Sequence, residues 1–446
     1  MADSQVKKIK LYSVLRYKTT AYFYGTLVCG SFALVFLVAM FANVLPARER
    51  EAHATVLRDV RVYDARGDLR KKQSIAWRSG RLIDAPETDR GASVIDGGGG
   101  ILTPGLIDVS TGLGLVDVSY LAVGREDSAG ADDVRAAFRV SEVFDPASSV
   151  IPVARSGGIT SALAVPRGGL VSGQSAWIDL AAGSSSKTRA DGGERYARLV
   201  HERAALHISL ARSTRISRGR RFLQLRRLFE ALDAYRAGKT GPSMGRTFPA
   251  DTLDLAELDA VLKAGRPVVF RVDRAAHIRA VLTFARERKL RPVIAGGAEA
   301  WKVAEELARD RVPVILNPIR NLPFDFDSRH ARADAAAILH RAGVPVILST
   351  FDTHRANILR QLAGNAVRAG LPHHAALAAV TTEPARVFGM SDRYGSLESG
   401  GVASLVLWSG DPFEFSSRVV KMWIGGREVT LDSRQTELLR RYRKIR

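Results

Sequence analysis

The chain has 446 residues, of which 46% are hydrophobic and 25% charged, which is ordinary globular composition and enough for one large or two ordinary domains. Its single cysteine, Cys29, excludes an intramolecular disulfide framework and a cysteine-based zinc site, and its apolar surroundings read as those of a small buried hydrophobe. The formal net charge of +20 suits an anionic membrane surface or a basic proteome, but no helix-turn-helix, zinc-finger or aromatic RNA-binding pattern accompanies it, so no nucleic-acid partner is expected.

Residues 1–18 form a basic tail, with Lys7, Lys8, Lys10, Arg16 and Lys18 against one acid, Asp3. Residues 19–47 then carry no charge, and a bilayer is crossed by about 20 apolar residues. Leu45-Pro46-Ala47 could pass as a cleavage site, but the apolar core exceeds the roughly 7–15 residues of a signal peptide, so an uncleaved anchor is the reading adopted. The basic residues precede the segment, whereas Arg48-Glu49-Arg50-Glu51 after it is balanced. The positive-inside tendency therefore predicts a single-pass inner-membrane protein, its basic tail cytoplasmic and its main domain periplasmic.

Short alternating strands follow at 56–63, 73–78 and 81–83, separated by turn residues such as Ser79-Gly80. Gly97 to Gly100 reads as a turn, because neither a Lys-Ser/Thr sequel nor a helix follows it as in a phosphate-cradling loop. In 101–115 an apolar run is broken by Thr103-Pro104-Gly105 and ends in an acid, the pattern of a buried strand fed by a tight turn. Strand alternation would place Asp108, Ser110 and Gly112 on one face. Predicted strands at 158–165, 267–272, 291–295, 312–316 and 344–348 alternate with predicted helices at 275–288, 298–310 and 331–342, which argues for a parallel sheet, closed or open. The basic stretch 184–243 includes an arginine-rich helical run, 215–223, expected to be a solvated face. Further strands are predicted at 403–408 and 419–427, and the basic end of the chain, 438–446, is expected to be disordered or to lie on anionic lipid.

Pro104-Gly105-Leu106-Ile107-Asp108 resembles the first barrel strand of the metal-dependent amidohydrolase superfamily, especially its imidazolonepropionase-like branch. Similar likenesses run through Gly168-Gly169-Leu170-Val171-Ser172-Gly173-Gln174, Gly297-Ala298-Glu299-Ala300-Trp301, Thr381-Thr382-Glu383-Pro384-Ala385 and Ser409-Gly410-Asp411-Pro412-Phe413. The resemblance implies an α/β protein with a TIM-type (β/α)8 barrel at 104–393, inserted in a small composite β-sandwich of 48–103 and 394–431. The transmembrane helix at 19–47 would precede it and a basic tail, 432–446, would follow.

The resemblance also implies a metal held by a His pair on the first strand, a His on each of two later strands and an Asp on the last. Here Ser110 and Gly112 replace the pair, and the later positions fall at Arg271, a fixed cation, and Gly296. Only the acid, Asp352, is retained. A metal-free cavity without cofactor is therefore expected, and the protein is read as a non-catalytic binding or scaffolding partner of an intact amidohydrolase relative or of its own copies. The alternative is an active hydrolase of non-peptide C–N bonds, acting on cyclic amides or dipeptide-like substrates, with a divergent catalytic pair Asp352 and Glu299 and a divalent metal such as zinc. Asp108, Asp352, Glu299 and Asp273 are expected either to converge at the mouth or, more readily, to be structural and to pair with an arginine such as Arg271 or Arg274. His354 is the best-placed imidazole, Asn317 and Asn321 are possible ligand contacts, and His373-His374 are expected on the surface.

Overall fold

The computed structural model describes residues 53–446 apart from 64–67, 85–90, 131–132, 182–195, 212–215, 240–249, 321, 324 and 444–446. The basic tail 1–18 and the uncharged segment 19–47 lie outside the described residues, among which no helix is long and apolar enough to cross a membrane.

Two chain segments distant in sequence build one sheet. Strands β1 (Thr55–Tyr63), β2 (Leu69–Arg78), β3 (Arg81–Ile83), β4 (Ser93–Asp96) and β5 (Ile101–Pro104) are joined by β14 (Leu405–Trp408), β15 (Val419–Ile424) and β16 (Arg427–Glu428). The order is β16-β15-β14-β5-β1-β2-β3, with β4 paired to β1. Leu102 lies opposite Leu407, and Leu405 opposite Trp423, so apolar side chains on the shared face meet across the junction. The predicted sandwich is one sheet curled onto itself: Arg81 bridges Val402, and the β2–β3 turn meets the β15–β16 turn. Gly80, at φ +81°, makes that approach possible, because a Cβ there would lie 2.7 Å from the Gly425 carbonyl oxygen. Leu57, Trp77, Leu82, Leu102, Leu407 and Trp423 fill the enclosed core.

The second sheet runs in chain order from β6 (Leu106–Thr111) through β7 (Ile159–Ala164), β8 (Val171–Asp179), β9 (Arg198–Ser209), β10 (Pro267–Val272), β11 (Arg291–Gly296) and β12 (Val314–Leu316) to β13 (Val346–Leu348). It is a nearly closed eight-stranded barrel, but it corrects the expected (β/α)8 pattern. Strand β8 is antiparallel to both neighbours, leaving seven parallel strands. The cause is the connection 165–170 between β7 and β8, too short for the dozen or so residues a parallel crossover needs.

Helices α1 (Ile151–Ser156), α2 (Arg218–Arg236), α3 (Thr252–Lys263), α4 (Ala275–Glu287), α5 (Ala304–Arg309), α6 (Ala335–Arg341), α7 (Leu359–Arg368), α8 (His373–Ala379) and α9 (Thr382–Val387) complete the barrel region. The predicted helix at 298–310 is split by a 3-10 turn, Ala300–Val303, ahead of α5. Strand alternation sorts the core: Phe270, Ile294, Val314 and Val346 pack outward with the helices, whereas Val269, Val293, Ile315 and Ile347 fill the interior.

Two expectations about arginine fail here. In α2, Arg221 is buried and paired with Asp133 at 2.9 Å, and Arg218 pairs with Asp327, so this run is not simply a solvated face. The chain end, expected to be disordered, forms an exposed helix, α10 (Arg434–Arg443), tied back by Arg440 to Asp432 at 2.7 Å.

His373 is likewise not a free surface residue. Its Nε2 lies 3.0 Å from Asp411, and its ring packs between Tyr63 and Phe413 at centroid distances of 4.6 and 4.8 Å. The imidazole thus pins α8 to the curled sheet. His373→Ala is expected to cost about 2 kcal/mol, the scale of a charge-assisted bond plus lost ring packing, measurable as a lower urea midpoint with an unchanged slope.

Candidate functional site at the barrel mouth

The C-terminal ends of β10 to β13 open into a cavity of about 530 Å³, within the usual size of a small-molecule site. Arg271 and Asp273 come from β10 and its exit, Gly296 from β11, Leu316 and Asn317 from β12, and Thr350 to Asp352 from the loop after β13. A second cavity of about 90 Å³ lies against the interior core, lined by Val109, Ser110, Arg167, Ser172, His207 and Ser209 among others. Arg271 and Phe351 line both. Phe351 holds φ +53°, a left-handed conformation that costs a bulky residue strain, and its carbonyl accepts a bond from Arg167 Nη2 at 3.3 Å.

Asp108 does not face this mouth. The register of β6 against β7 shifts on both sides of Ile107–Asp108, so strict alternation ends and Ser110 reaches the inner cavity without Asp108. Asp108 is instead fully buried where β6 and β13 face each other without a ladder. The hydroxyls of Ser349 and Thr350 donate to its two carboxylate oxygens, closing the barrel with side chains. Burial raises its pKa to about 6, although those hydroxyls and nearby amides pull the other way. Gly112 leaves no room for a side chain, since a Cβ would lie 2.8 Å from Thr353 Oγ1.

Of the proposed pair, the structure brings Asp352 to the outer cavity and leaves Glu299 off its wall. Asp352 accepts from the amides of His354 and Arg355 at 3.0 and 3.1 Å and pairs with Arg355 at 3.3 Å. Burial opposes its charge, but these partners win and hold its carboxyl below the ordinary range. Glu299 Oε2 accepts from the Ala275 amide at 3.0 Å, capping α4 from the neighbouring loop, with Lys302 at 3.4 Å from the other oxygen. Burial is again outweighed, and the group stays ionised. Replacing Glu299 by Ala is expected to lower stability by about 1 kcal/mol through loss of that cap, visible in thermal unfolding.

Of the four acids expected to pair with an arginine, Asp352 does so, with Arg355, whereas no ion pair to Arg271 or Arg274 forms from any of them among the described residues. Arg274 pairs with Asp327 at 2.9 Å, and Arg271 has no hydrogen bond or ion pair through its side chain with the described residues. Asp273 is raised by burial, against the pull of the Ala298 amide and Arg271, and its carboxyl lies where a Gly296 side chain would stand. His354 spends both ring nitrogens on the loop after β6. Nε2 lies 2.9 Å from the Asp117 carbonyl, which can only accept, so Nε2 carries the proton and Nδ1 accepts from Ser119 Oγ at 3.0 Å. Asn317 donates to the Thr350 carbonyl at 2.9 Å and accepts from the Ile319 amide at 3.1 Å. Asn321 lies outside the described residues.

Sequence reasoning missed His207. It sits on β9 opposite Val269, an interior position, and burial pushes its pKa down to about 3, so the imidazole is neutral. Its Nε2 has no hydrogen-bond partner among the described residues. The signal available was an isolated His inside the apolar run Ala204-Ala205-Leu206-His207-Ile208.

A metal would need several convergent donors, yet Ser110, Arg271 and Gly296 offer a neutral hydroxyl, a fixed cation and nothing. Among the described residues no three His, Cys, Asp or Glu side chains converge as a metal cluster.

The amidohydrolase family profile matches residues 262–429. An amidohydrolase of Hapsidospora irregularis, tasK, is 26% identical over 388 residues, covering 81% of this chain and 39% of that protein. The chain thus spans well under half the length of that relative. The crystal structure of an amidohydrolase from Thermotoga maritima superposes with a TM-score of 0.73 at 24% identity, covering 84% of this chain and 99% of that one. A prolidase solved with N-methylphosphonate-L-proline superposes at 0.53, with 16% identity over 84% of this chain and 99% of the other. At these identities the two structures speak to the fold.

Proposed function

The chain belongs to the amidohydrolase superfamily, and from that premise we propose that it is a membrane-anchored, extracytoplasmic member whose barrel mouth binds a ligand without metal-dependent hydrolysis. The observation that supports the reading is Arg271, a cavity-wall guanidinium with no hydrogen-bond or ion-pair partner among the described residues, at the position where the sequence resemblance implies an imidazole ligand. A permanent cation there opposes a divalent ion, and no imidazole on β6 or β11 offsets it. The anchor would be the uncharged segment 19–47, and an intact amidohydrolase relative or a second copy of the chain would be the partner.

Elemental analysis of the purified full chain tests this reading. It predicts less than one transition-metal ion per ten chains after dialysis against zinc; one ion per chain would overturn it.

One observation favours a second reading, an active hydrolase of C–N bonds. Asp273 and Asp352 both line the outer cavity, and the raised affinity of Asp273 for its proton suits a general acid or base. On that reading, cyclic amides or dipeptides are turned over, and Asp352→Asn lowers kcat at least 100-fold. No turnover by the unmodified chain leaves the binding role standing.

A further inference from the structure

We propose that the barrel mouth binds a small organic carboxylate, its charged group seated on Arg271 above the inner cavity and its apolar body lying in the outer one. This rests on the binding role proposed above and names the ligand class.

The first argument is charge. Arg167, Arg271 and Arg320 stand close enough for Arg271 to feel both others, and Arg271 and Arg320 are exposed at the open mouth. Of the acids nearby, Asp273 attracts Arg271 from the cavity wall but makes no ion pair with it among the described residues, and the others have further partners. Asp352 serves Arg355 and two amides, and Asp325 accepts from the amides of Asp327 and Ser328 and from the Ser328 hydroxyl. Asp127 lies 2.9 Å from Arg125 and 3.7 Å from Arg167. Arg320 is stacked over Phe351 at 5.8 Å and has no ion pair among the described residues. A mouth built this way leaves the Arg271 guanidinium accessible and without an ion pair among the described residues, open to an anionic ligand.

The second argument is the inner cavity. Its polar lining, Ser110, Ser172, His207 and Ser209, is uncharged apart from the two arginines, and the buried Nε2 of His207 lacks a partner among the described residues. Neutral hydroxyls beside the planar Arg271 fork, with Arg167 already held by Asp127 and the Phe351 carbonyl, suit a monoanion of carboxylate shape better than a dianion. The third argument is the outer wall, where Leu316, Pro318, Ile319, Leu322 and Ile358 supply an apolar surface for the rest of the ligand.

The test uses the full chain in detergent, treated with EDTA, and a panel of N-acetyl amino acids and arylacetates, each paired with its neutral amide, with inorganic phosphate alongside. At least one carboxylate is expected to bind calorimetrically with a Kd below 1 mM and its amide at least 10-fold more weakly. Arg271→Met should weaken that carboxylate at least 10-fold and Arg271→Lys by less. The melting temperature of ligand-free Arg271→Met should stay level or rise, since no partner is lost; a fall would contradict the unpaired guanidinium. Absence of binding across the panel, equal binding of acid and amide, or tighter binding of phosphate overturns the proposal. Each of these can occur in a metal-free sample, so the anion site can fail while the non-metal reading survives. Carboxylate binding that EDTA abolishes would instead sink the non-metal reading.

Discussion

Replacing Asp108 by Asn is expected to remove a fall in stability between pH 4 and pH 6 that the unmodified chain shows. The carboxyl is fully buried, and its pKa is raised from 3.8 to about 6 in the folded state. Between those values the folded chain holds a proton that the unfolded chain has released, so stability drops as pH rises and the loss is complete above the folded value. About two pH units at about 1.4 kcal/mol each make the loss about 3 kcal/mol by pH 7. Asn keeps a carbonyl to accept from one of the hydroxyls of Ser349 and Thr350 and presents an amide to the other, with no charge to bury. Asp108→Ala behaves differently. It strands two buried hydroxyls and leaves a void at the barrel seam, so at pH 4 it is expected to be about 3 kcal/mol less stable than the unmodified chain. Urea unfolding at pH 4, 5.5 and 7 checks both variants. An Asn variant that retains the unmodified slope would show that Asp108 is not the group responsible.

The barrel was legible in the sequence wherever one physical signal dominated. Runs such as Pro267-Val268-Val269-Phe270 and Val346–Leu348 are apolar on both faces because helices cover one side and the interior core fills the other. The reversal of β8 was not legible as a period, since a buried antiparallel strand reads like a buried parallel one. Its only trace was the short spacing between 164 and 171, which the pattern of βα units overrode. The mouth was half legible. Arg271 was recognisable as a fixed cation, and it lines the cavity together with Asp352. Glu299 was misjudged because sequence cannot distinguish a carboxylate facing a cavity from one capping the helix beside it. The expectation that Asp108 shares a face with Ser110 failed because a register shift, invisible in the residue pattern, turns Asp108 to the seam.

The largest acid sensitivity should come from His207. The burial that leaves its imidazole neutral moves its pKa from 6.5 to about 3. Unfolding frees the ring to take up a proton anywhere below about 6.5, so the folded state is fully favoured above that pH and loses ground as pH falls toward the folded value. Each unit of that descent costs about 1.4 kcal/mol, about 2 kcal/mol at pH 5 and about 4 kcal/mol near pH 3. His207→Leu is expected to flatten this part of the profile. At pH 7, where the ring is neutral in both states, the change should be small, because Nε2 loses no partner among the described residues. The half-buried His201, His277 and His340 are also lowered by burial, so the comparison must be the difference between the two chains at each pH. A difference in stability that grows by about 2 kcal/mol from pH 7 to pH 5 assigns the acid lability to the barrel interior. A constant difference would place it elsewhere and would mean that water or a proton reaches the ring in the native state.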